Sequence, residues 1–350
     1  MRIGLYGMPT SGKTYILDQI DFIDVLVGSK LLREYAPDFD TRDESGKEQA
    51  RKAVAELMMV KEAFIMDGHY AFGDKIAFTE EEGTMYDIYL YLYVSPAILR
   101  SRMTASAKNQ KYLKYNLEEW QDTEIKELRA YCHRNNKDFY VIDNPPLNEY
   151  VNDREAISFI KEIVHGYSCL EYAKKCVKEI LALSKSDTVI LLDGDRTLTV
   201  EDSSNAVFGY TTHLYDGNFY TGFQAWKQTE EFKKYSIPEL TEMPVNLNPY
   251  VVDRLNGDSF ILTSGHEKVW RYIAHELGLP FYYGMEMSAE TKLYITKMLQ
   301  AAGKYVIAYG DGMNDYFMLK QANEGYLLTK KDGTLSRSLK GRDTEGLIIV

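Results

Sequence analysis

The first twenty residues, MRIGLYGMPTSGKTYILDQI, leave this chain few ways to begin a fold. MRIGLY reads as a short buried strand, GMPTSGK breaks it with two glycines, and TYILDQI resumes with apolar residues at helical spacing. A strand that runs through a glycine loop straight into a helix opens an α/β unit. Further apolar runs at 22–27, 63–66, 88–94 and 139–143, separated by helix-like stretches such as GKEQARKAVAELMMVKEA, extend the pattern. Strands alternating with helices predict a mainly parallel sheet covered on both faces.

The alternation stops near Pro145 and Pro146, and two amphipathic stretches, NDREAISFIKEIVHG and LEYAKKCVKEILALSKSD, carry the chain onward. It then restarts: TVILLD, an aromatic insertion over about 200–255, strand SFILT, helix EKVWRYIAHELG, a polar segment, helix TKLYITKMLQAAG, and strands YVIAYGDG and EGYLLT. No internal repeat or low-complexity stretch interrupts it. A chain of 350 residues suits two domains. The boundary is expected within 150–186, giving a first domain over 1–165, a connecting helix over 166–186 and a second domain over 187–350. The expected class is α/β, as two three-layer α/β/α domains.

Two constellations carry chemistry. Gly7, Gly12, Lys13 and Thr14 fit G-x-x-x-x-G-K-[ST], in which glycines let backbone amides curl around phosphate oxygens. The lysine can reach the transferred phosphoryl group and the hydroxyl can bind magnesium. Beyond this loop, residues 1–165 resemble the P-loop kinases of small substrates related to nucleoside monophosphate kinases. The resemblance implies ATP and magnesium, and puts Asp67 of FIMDGHY beside the metal and phosphates. It gives Arg33 of GSKLLREY a phosphate-facing role, with a solvated helix arginine as the alternative. Through YLYVSPAILRSRM it gives Arg100 and Arg102 the task of neutralising the transferring phosphate, with plain surface charge as the alternative. His69 and Tyr70 follow Asp67 and Gly68 where nucleotide kinases carry DGFPR, so the acceptor stays open.

The second constellation starts where TVILLD ends. DGDRT places Asp193 at the strand end and Asp195 two residues on, past a bend, so that one carboxylate can attack phosphorus while the other handles protons. D-x-D-x-T is the spacing of the haloacid dehalogenase superfamily of phosphatases, which the chain resembles from about 187 to its end. The resemblance implies a Rossmann-like domain, Asp193 as nucleophile, Asp195 as general acid and base, and Thr197 bracing the turn. It implies a phosphate-holding hydroxyl at Thr263, with Ser264 as the alternative. A lysine neutralises the aspartyl-phosphate, Lys292 before Lys297. Magnesium is held by Asp193, the Asp195 carbonyl, Asp311 and Asp315 of YGDGMND. Gly194 and Arg196 replace commoner choices between the aspartates. The insertion, carrying Phe208, Tyr210, Tyr215, Phe219, Tyr220, Phe223 and Trp226, sits where this superfamily places a cap. With TVEDSS it resembles the phosphoserine-phosphatase-like branch, whose small helical cap reads the leaving group. The aromatics could equally be the cap's own core.

Composition narrows the partners. A formal charge of −11 opposes general attraction to polyphosphate backbones, and the 28 tyrosines read as packing rather than base stacking without interleaved basic residues. Three cysteines, Cys132, Cys169 and Cys176, show neither a disulfide framework nor zinc spacing. No secretory leader or membrane-length run is seen, so a cytoplasmic protein is expected. His69 and His266 follow proposed site strands but are given no role. The leading expectation is a bifunctional protein, an ATP-dependent small-molecule kinase fused to a magnesium-dependent phosphomonoester phosphatase acting on a small phosphorylated metabolite. One rival is a polynucleotide kinase-phosphatase working on nucleic-acid ends, whose kinase-first order matches. Another is a P-loop domain that senses ATP and regulates the phosphatase.

Overall fold

The computed structural model describes residues 1–143, 153–209, 219–237 and 239–350; Pro145, Pro146, Tyr210 and Tyr215 lie outside them. The chain divides into two compact units, Met1–Tyr167 and Ser168–Val350.

The first unit runs β1 (Arg2–Tyr6), α1 (Lys13–Leu17), β2 (Val25–Leu26), α2 (Gly28–Tyr35), α3 (Glu44–Met58), β3 (Phe64–Asp67), a hairpin of β4 (Ala71–Phe72) and β5 (Lys75–Ile76), α4 (Glu80–Met85), β6 (Ile88–Leu92), α5 (Pro96–Thr104), α6 (Leu117–Asn135), β7 (Asp138–Ile142) and α7 (Asp153–Val164). Its main sheet is wholly parallel in the order β2-β3-β1-β6-β7. β1 is central, and the chain leaves it first toward β3 and later toward β6. A crevice opens at its carboxyl end for that reason. Strands β6 and β7 are buried at every position, which is why they read as continuous apolar runs rather than alternating ones. Tyrosines supply much of this core: Tyr6, Tyr86 and Tyr89 are fully buried, with ring centroids 5.6–6.1 Å apart. The strand expected over 22–27 contracts to Val25–Leu26, an edge position beside β3.

The second unit runs α8 (Cys169–Leu183), β8 (Thr188–Asp193), α9 (Ser203–Phe208), α10 (Gly222–Phe232), α11 (Pro249–Val252), β9 (Ser259–Thr263), α12 (Glu267–Leu277), β10 (Phe281–Tyr283), α13 (Ala289–Ala301), β11 (Tyr305–Gly310), α14 (Met313–Gln321), β12 (Glu324–Leu327) and β13 (Ile348–Ile349). The sheet is again parallel, in the order β10-β9-β8-β11-β12-β13, so β8 occupies the place that β1 holds in the first unit. The helix expected as a connector, α8, belongs to this unit: Ala173, Cys176 and Ile180 are buried in the same core as Leu293 and Leu299 of α13. The segment read as polar after α12 contains β10, and β13 was not anticipated at all.

The insertion leaves the sheet through a narrow neck. Thr199 and Leu247 form an antiparallel bridge, Val200 N–H donates to Asn246 O, and Asn248 N–H donates to Leu198 O. Beyond it come α9 and α10. The insertion's Phe219, Tyr220, Phe223 and Trp226 are all buried, so these aromatics pack rather than wait for a ligand. Among the described residues no helix is long and apolar enough to cross a membrane.

Candidate functional site

The loop after β1 is shaped by its glycines. Gly7 takes φ 151°, where a Cβ would lie 2.8 Å from the Leu92 carbonyl oxygen, and Gly12 takes φ 102°. Lys13 is buried beneath the loop, with Nζ donating to Gly7 O at 2.6 Å and Met8 O at 3.2 Å. Burial lowers its ammonium to about 8, against the pull of Asp67 and Glu124. Sequence reasoning did not find Glu124. It is wholly buried on α6 and accepts from Ala71 N–H at 3.1 Å, Tyr91 O–H at 2.7 Å and Trp120 Nε1–H at 3.0 Å. Asp67 ends β3 in the same crevice, held by Gly28 N–H at 2.8 Å, and Thr14 shares the cleft wall with it.

The two lid arginines part company. Arg102 Nη1 reaches the loop and donates to Thr10 O at 3.0 Å and Ser11 O at 3.1 Å. Arg100 is exposed and touches neither loop nor cleft, so the structure does not bring it to the site. Three buried polar atoms around the loop, Thr10 Oγ1, Ser11 Oγ and His69 Nδ1, have no hydrogen-bond partner among the described residues. Orphaned groups around a glycine loop and a buried lysine fit a bound phosphate chain. His69, to which no role was given, therefore belongs to this wall. Burial and then the Lys13 charge hold its imidazole well below the usual histidine range.

From the loop a cleft of about 870 Å³ extends over α2, α3 and the 108–115 segment. Its charge runs against that of the whole chain. Arg33 is paired with Asp40 at 2.9 Å and Lys75 with Glu44 at 3.2 Å. Arg51, Lys108, Lys111 and Lys114 have no ion pair among the described residues. Three of these four lie over aromatic rings: Arg51 over Phe39 at 5.6 Å, Lys111 over Tyr112 at 5.0 Å and Lys114 over Tyr115 at 4.8 Å. Basic and aromatic residues are thus interleaved in the cleft. Also in the wall is Glu82, raised by burial to about 7 and bonded by Tyr6 O–H at 2.5 Å.

In the second unit the carboxyl ends of β8 and β11 bring Asp193, Asp311 and Asp315 together, with ligand oxygens within 4.8 Å of one another. Lys292, fully buried on α13, donates to Asp193 Oδ1 at 2.6 Å and Asp315 Oδ1 at 2.7 Å. Burial alone would depress its ammonium, but the two carboxylates outweigh burial and raise it. Lys297 instead lies 6.0 Å from the Tyr294 ring centroid. One lysine cannot neutralise three carboxylates, two of them buried and Asp311 half-buried. Asp311 shows the deficit, raised well above the carboxylate range by burial and then by Asp193 and Asp315. An all-oxygen, charge-deficient group of this kind fits a hard divalent cation such as magnesium.

Asp195 is set apart from that group. Its Oδ1 accepts from Ser203 N–H at 2.6 Å, and its Oδ2 from Trp270 Nε1–H at 3.4 Å. Burial, then the charges of Asp202 and others nearby, raises it to about 7, so near neutral pH it can both give and take a proton. Thr263 Oγ1 accepts from Gly265 N–H at 2.9 Å and lies beside Gly194. Ser264 is tied elsewhere, donating to Met287 O at 3.0 Å and accepting from Asn314 Nδ2 at 2.8 Å. Thr197, expected to brace the turn, is buried with its hydroxyl unpartnered among the described residues. His266 caps α12 and packs against Phe208 and Phe232, a structural place.

No protein-family model and no curated protein matches this chain. Solved structures do overlap a little under half of it each. Shikimate kinase from Bacteroides thetaiotaomicron is 16% identical over 47% of this chain and 98% of its own, with a TM-score of 0.34. Shikimate kinase from Acinetobacter baumannii in complex with shikimate is 17% identical over 47% of this chain and 92% of its own, at 0.34. A HAD family hydrolase from Salmonella enterica serovar Typhi is 16% identical over 42% of this chain and 64% of its own, at 0.28. Overlaps this low say nothing of substrate or activity.

Proposed function

We propose that the chain joins two phosphoryl-transfer enzymes, an ATP-dependent kinase in the first unit and a magnesium-dependent phosphomonoester phosphatase in the second. One observation carries the reading: a buried lysine joins a strand-end aspartate to a second acid while a third stands beside them with no ion pair among the described residues. Lys292 occupies Asp193 Oδ1, which leaves Oδ2 to attack phosphorus. As the Asp193–phosphorus bond forms and the ester bond breaks, Asp195 gives its proton to the leaving oxygen. Asp195 then takes a proton from water, which attacks the aspartyl-phosphate and frees Asp193. Magnesium held by Asp193, Asp311 and Asp315 supplies charge neutralisation on the phosphoryl oxygens. In the first unit Lys13 and Arg102 flank the loop that would hold the ATP phosphates, and Asp67 lines the cleft, where it would sit beside the metal and phosphates.

For the acceptor, a small phosphorylated metabolite is the first reading, since the cleft volume lies in the small-ligand range. The cation-over-ring pairs favour a second, the end of a single nucleic-acid strand, for which stacking and phosphate attraction act together. The test is the full chain with magnesium and ATP against metabolite phosphates, nucleotides and 3′-phosphorylated or 5′-hydroxyl oligonucleotides, with Asp193→Asn and Lys13→Ala as controls. Phosphate release that survives Asp193→Asn would remove the phosphatase assignment, and ATP turnover that survives Lys13→Ala would remove the kinase assignment.

A further inference from the structure

The second unit holds a cavity of about 630 Å³ that the chemistry above does not use, although Asp311 stands in its wall. One side is the turn after β8, with Arg196 and Val200; the other is the loop after β12, with Lys330 and Lys331. The cavity thus adjoins the carboxylate group through Asp311, which makes it a place for the leaving group of a phosphomonoester held at Asp193.

Its charge is unusual for this chain. Asp311 and Asp332 are its acids, and Asp332 is already engaged by Thr334 N–H at 3.0 Å and Thr334 O–H at 2.6 Å. Arg196 pairs with Asp202 at 3.1 Å while its charge still reaches Asp311. Lys330 and Lys331 make no ion pair among the described residues. Nor do they ride on a loose loop. Lys330 N–H donates to Thr334 O at 2.8 Å, Gly333 N–H to Lys330 O at 2.8 Å, and Thr329 N–H to Val350 O at 2.7 Å. Two exposed lysines without ion pairs, on a turn whose backbone is braced, face an arginine across the cavity and form a wall that attracts anions.

We propose that this cavity binds the leaving-group half of the phosphatase substrate and that this half carries a second phosphate, making the preferred substrate a small bisphosphate. Three cations against Asp332, with Asp311 turned to the metal group, leave a net positive wall that matches an anionic group better than a neutral or zwitterionic one. The proposal rests on the phosphatase reading. It differs from the expectation that the cap reads the leaving group through its aromatics, since Phe219, Tyr220, Phe223 and Trp226 are packed away.

The test compares sugar and nucleoside bisphosphates with their monophosphates and with p-nitrophenyl phosphate, using the full chain and its Lys330→Ala/Lys331→Ala variant. The best bisphosphate should exceed the best monophosphate by about tenfold in kcat/KM. The double variant should erase that ratio, mostly through KM. A best substrate with a single phosphate, or a ratio that the variant keeps, overturns the proposal. Absence of any Asp193-dependent hydrolysis would instead count against the phosphatase reading. In that case binding of the same bisphosphates to Asp193→Asn protein still decides the matter: affinity about tenfold weaker in the added presence of the lysine substitutions is expected, and equal affinity overturns the proposal.

Discussion

The indole of Trp270 fills the space that a side chain at Gly194 would need: a Cβ built there would lie 2.4 Å from the ring's Cζ2. The same ring closes off Gly265, where a Cβ would lie 2.2 Å from Nε1, and that Nε1–H is the one that donates to Asp195. The glycine between the two aspartates is thus a steric requirement imposed by α12, and not a weakened form of the motif. Gly194→Ala should cost about 1–3 kcal/mol by overpacking and should lower phosphatase turnover by displacing Asp195. The stability cost should shrink in a Trp270→Leu background, because the two changes share one volume. Chemical unfolding of the four proteins measures this, and strictly additive costs would show that the ring does not dictate the glycine.

Lys292 is the only cation hydrogen-bonded to Asp193 and Asp315 among the described residues. Removing it leaves two buried carboxylates facing each other, a loss of about 3–5 kcal/mol for a broken buried pair. Lys292→Met should therefore unfold at clearly lower denaturant in chelator. Asp315→Asn added to it should recover part of the loss, since one of the repelling charges is gone. An unfolding midpoint that Lys292→Met leaves in place would mean the cluster is neutralised in another way.

What could be read from the sequence was what lies close together in it. Gly7 to Thr14, Asp193 to Thr197 and Asp311 to Asp315 each form within one strand-and-turn, so spacing alone carries the geometry. Lys292 was legible through its order along the chain. Trp270 and Glu124 were not: Asp195 lies 75 residues from Trp270, two of Glu124's three hydrogen-bond partners lie 33 and 53 residues away, and a buried glutamate has no local mark. The cleft's Lys111 and Lys114 are unremarkable in sequence and gain meaning only when α3 and the hairpin close the other walls. Strands β10 and β13 were too short, at three and two residues, to show a period.

Arg100 and Arg102 illustrate the same limit and separate in a simple experiment. Two residues on a helix are turned roughly 200° apart, so both cannot face one loop. Arg102→Ala should lower ATP turnover by about 10-fold or more by removing a positioned cation. Arg100→Ala should leave it unchanged, and Asp193-dependent hydrolysis should be unaffected in both. Measured ADP release and p-nitrophenyl phosphate hydrolysis on the same preparations settle it. Equal losses in the two variants would place the transferring phosphate away from the Arg102 contact with Thr10 and Ser11.

Acidity should act on the second unit in a direction opposite to that of an ordinary surface carboxylate. Burial followed by neighbouring charge raises Asp195 from 3.8 to about 7 and Asp315 from 3.8 to about 6. Between the unfolded and folded values the native chain holds protons that the unfolded chain has released. Stability therefore falls as pH rises through that window, and this contribution is complete below the unfolded value and lost above the folded one. In chelator, wild-type protein should be less stable at about pH 8 than at about pH 5, and Asp195→Asn should flatten that slope. Turnover follows the same proton. Leaving-group protonation needs Asp195 in its acid form, so kcat should decline as pH rises past about 7 for poor leaving groups and decline less for p-nitrophenolate, which needs no proton. Identical profiles for the two kinds of substrate would take the general-acid role away from Asp195.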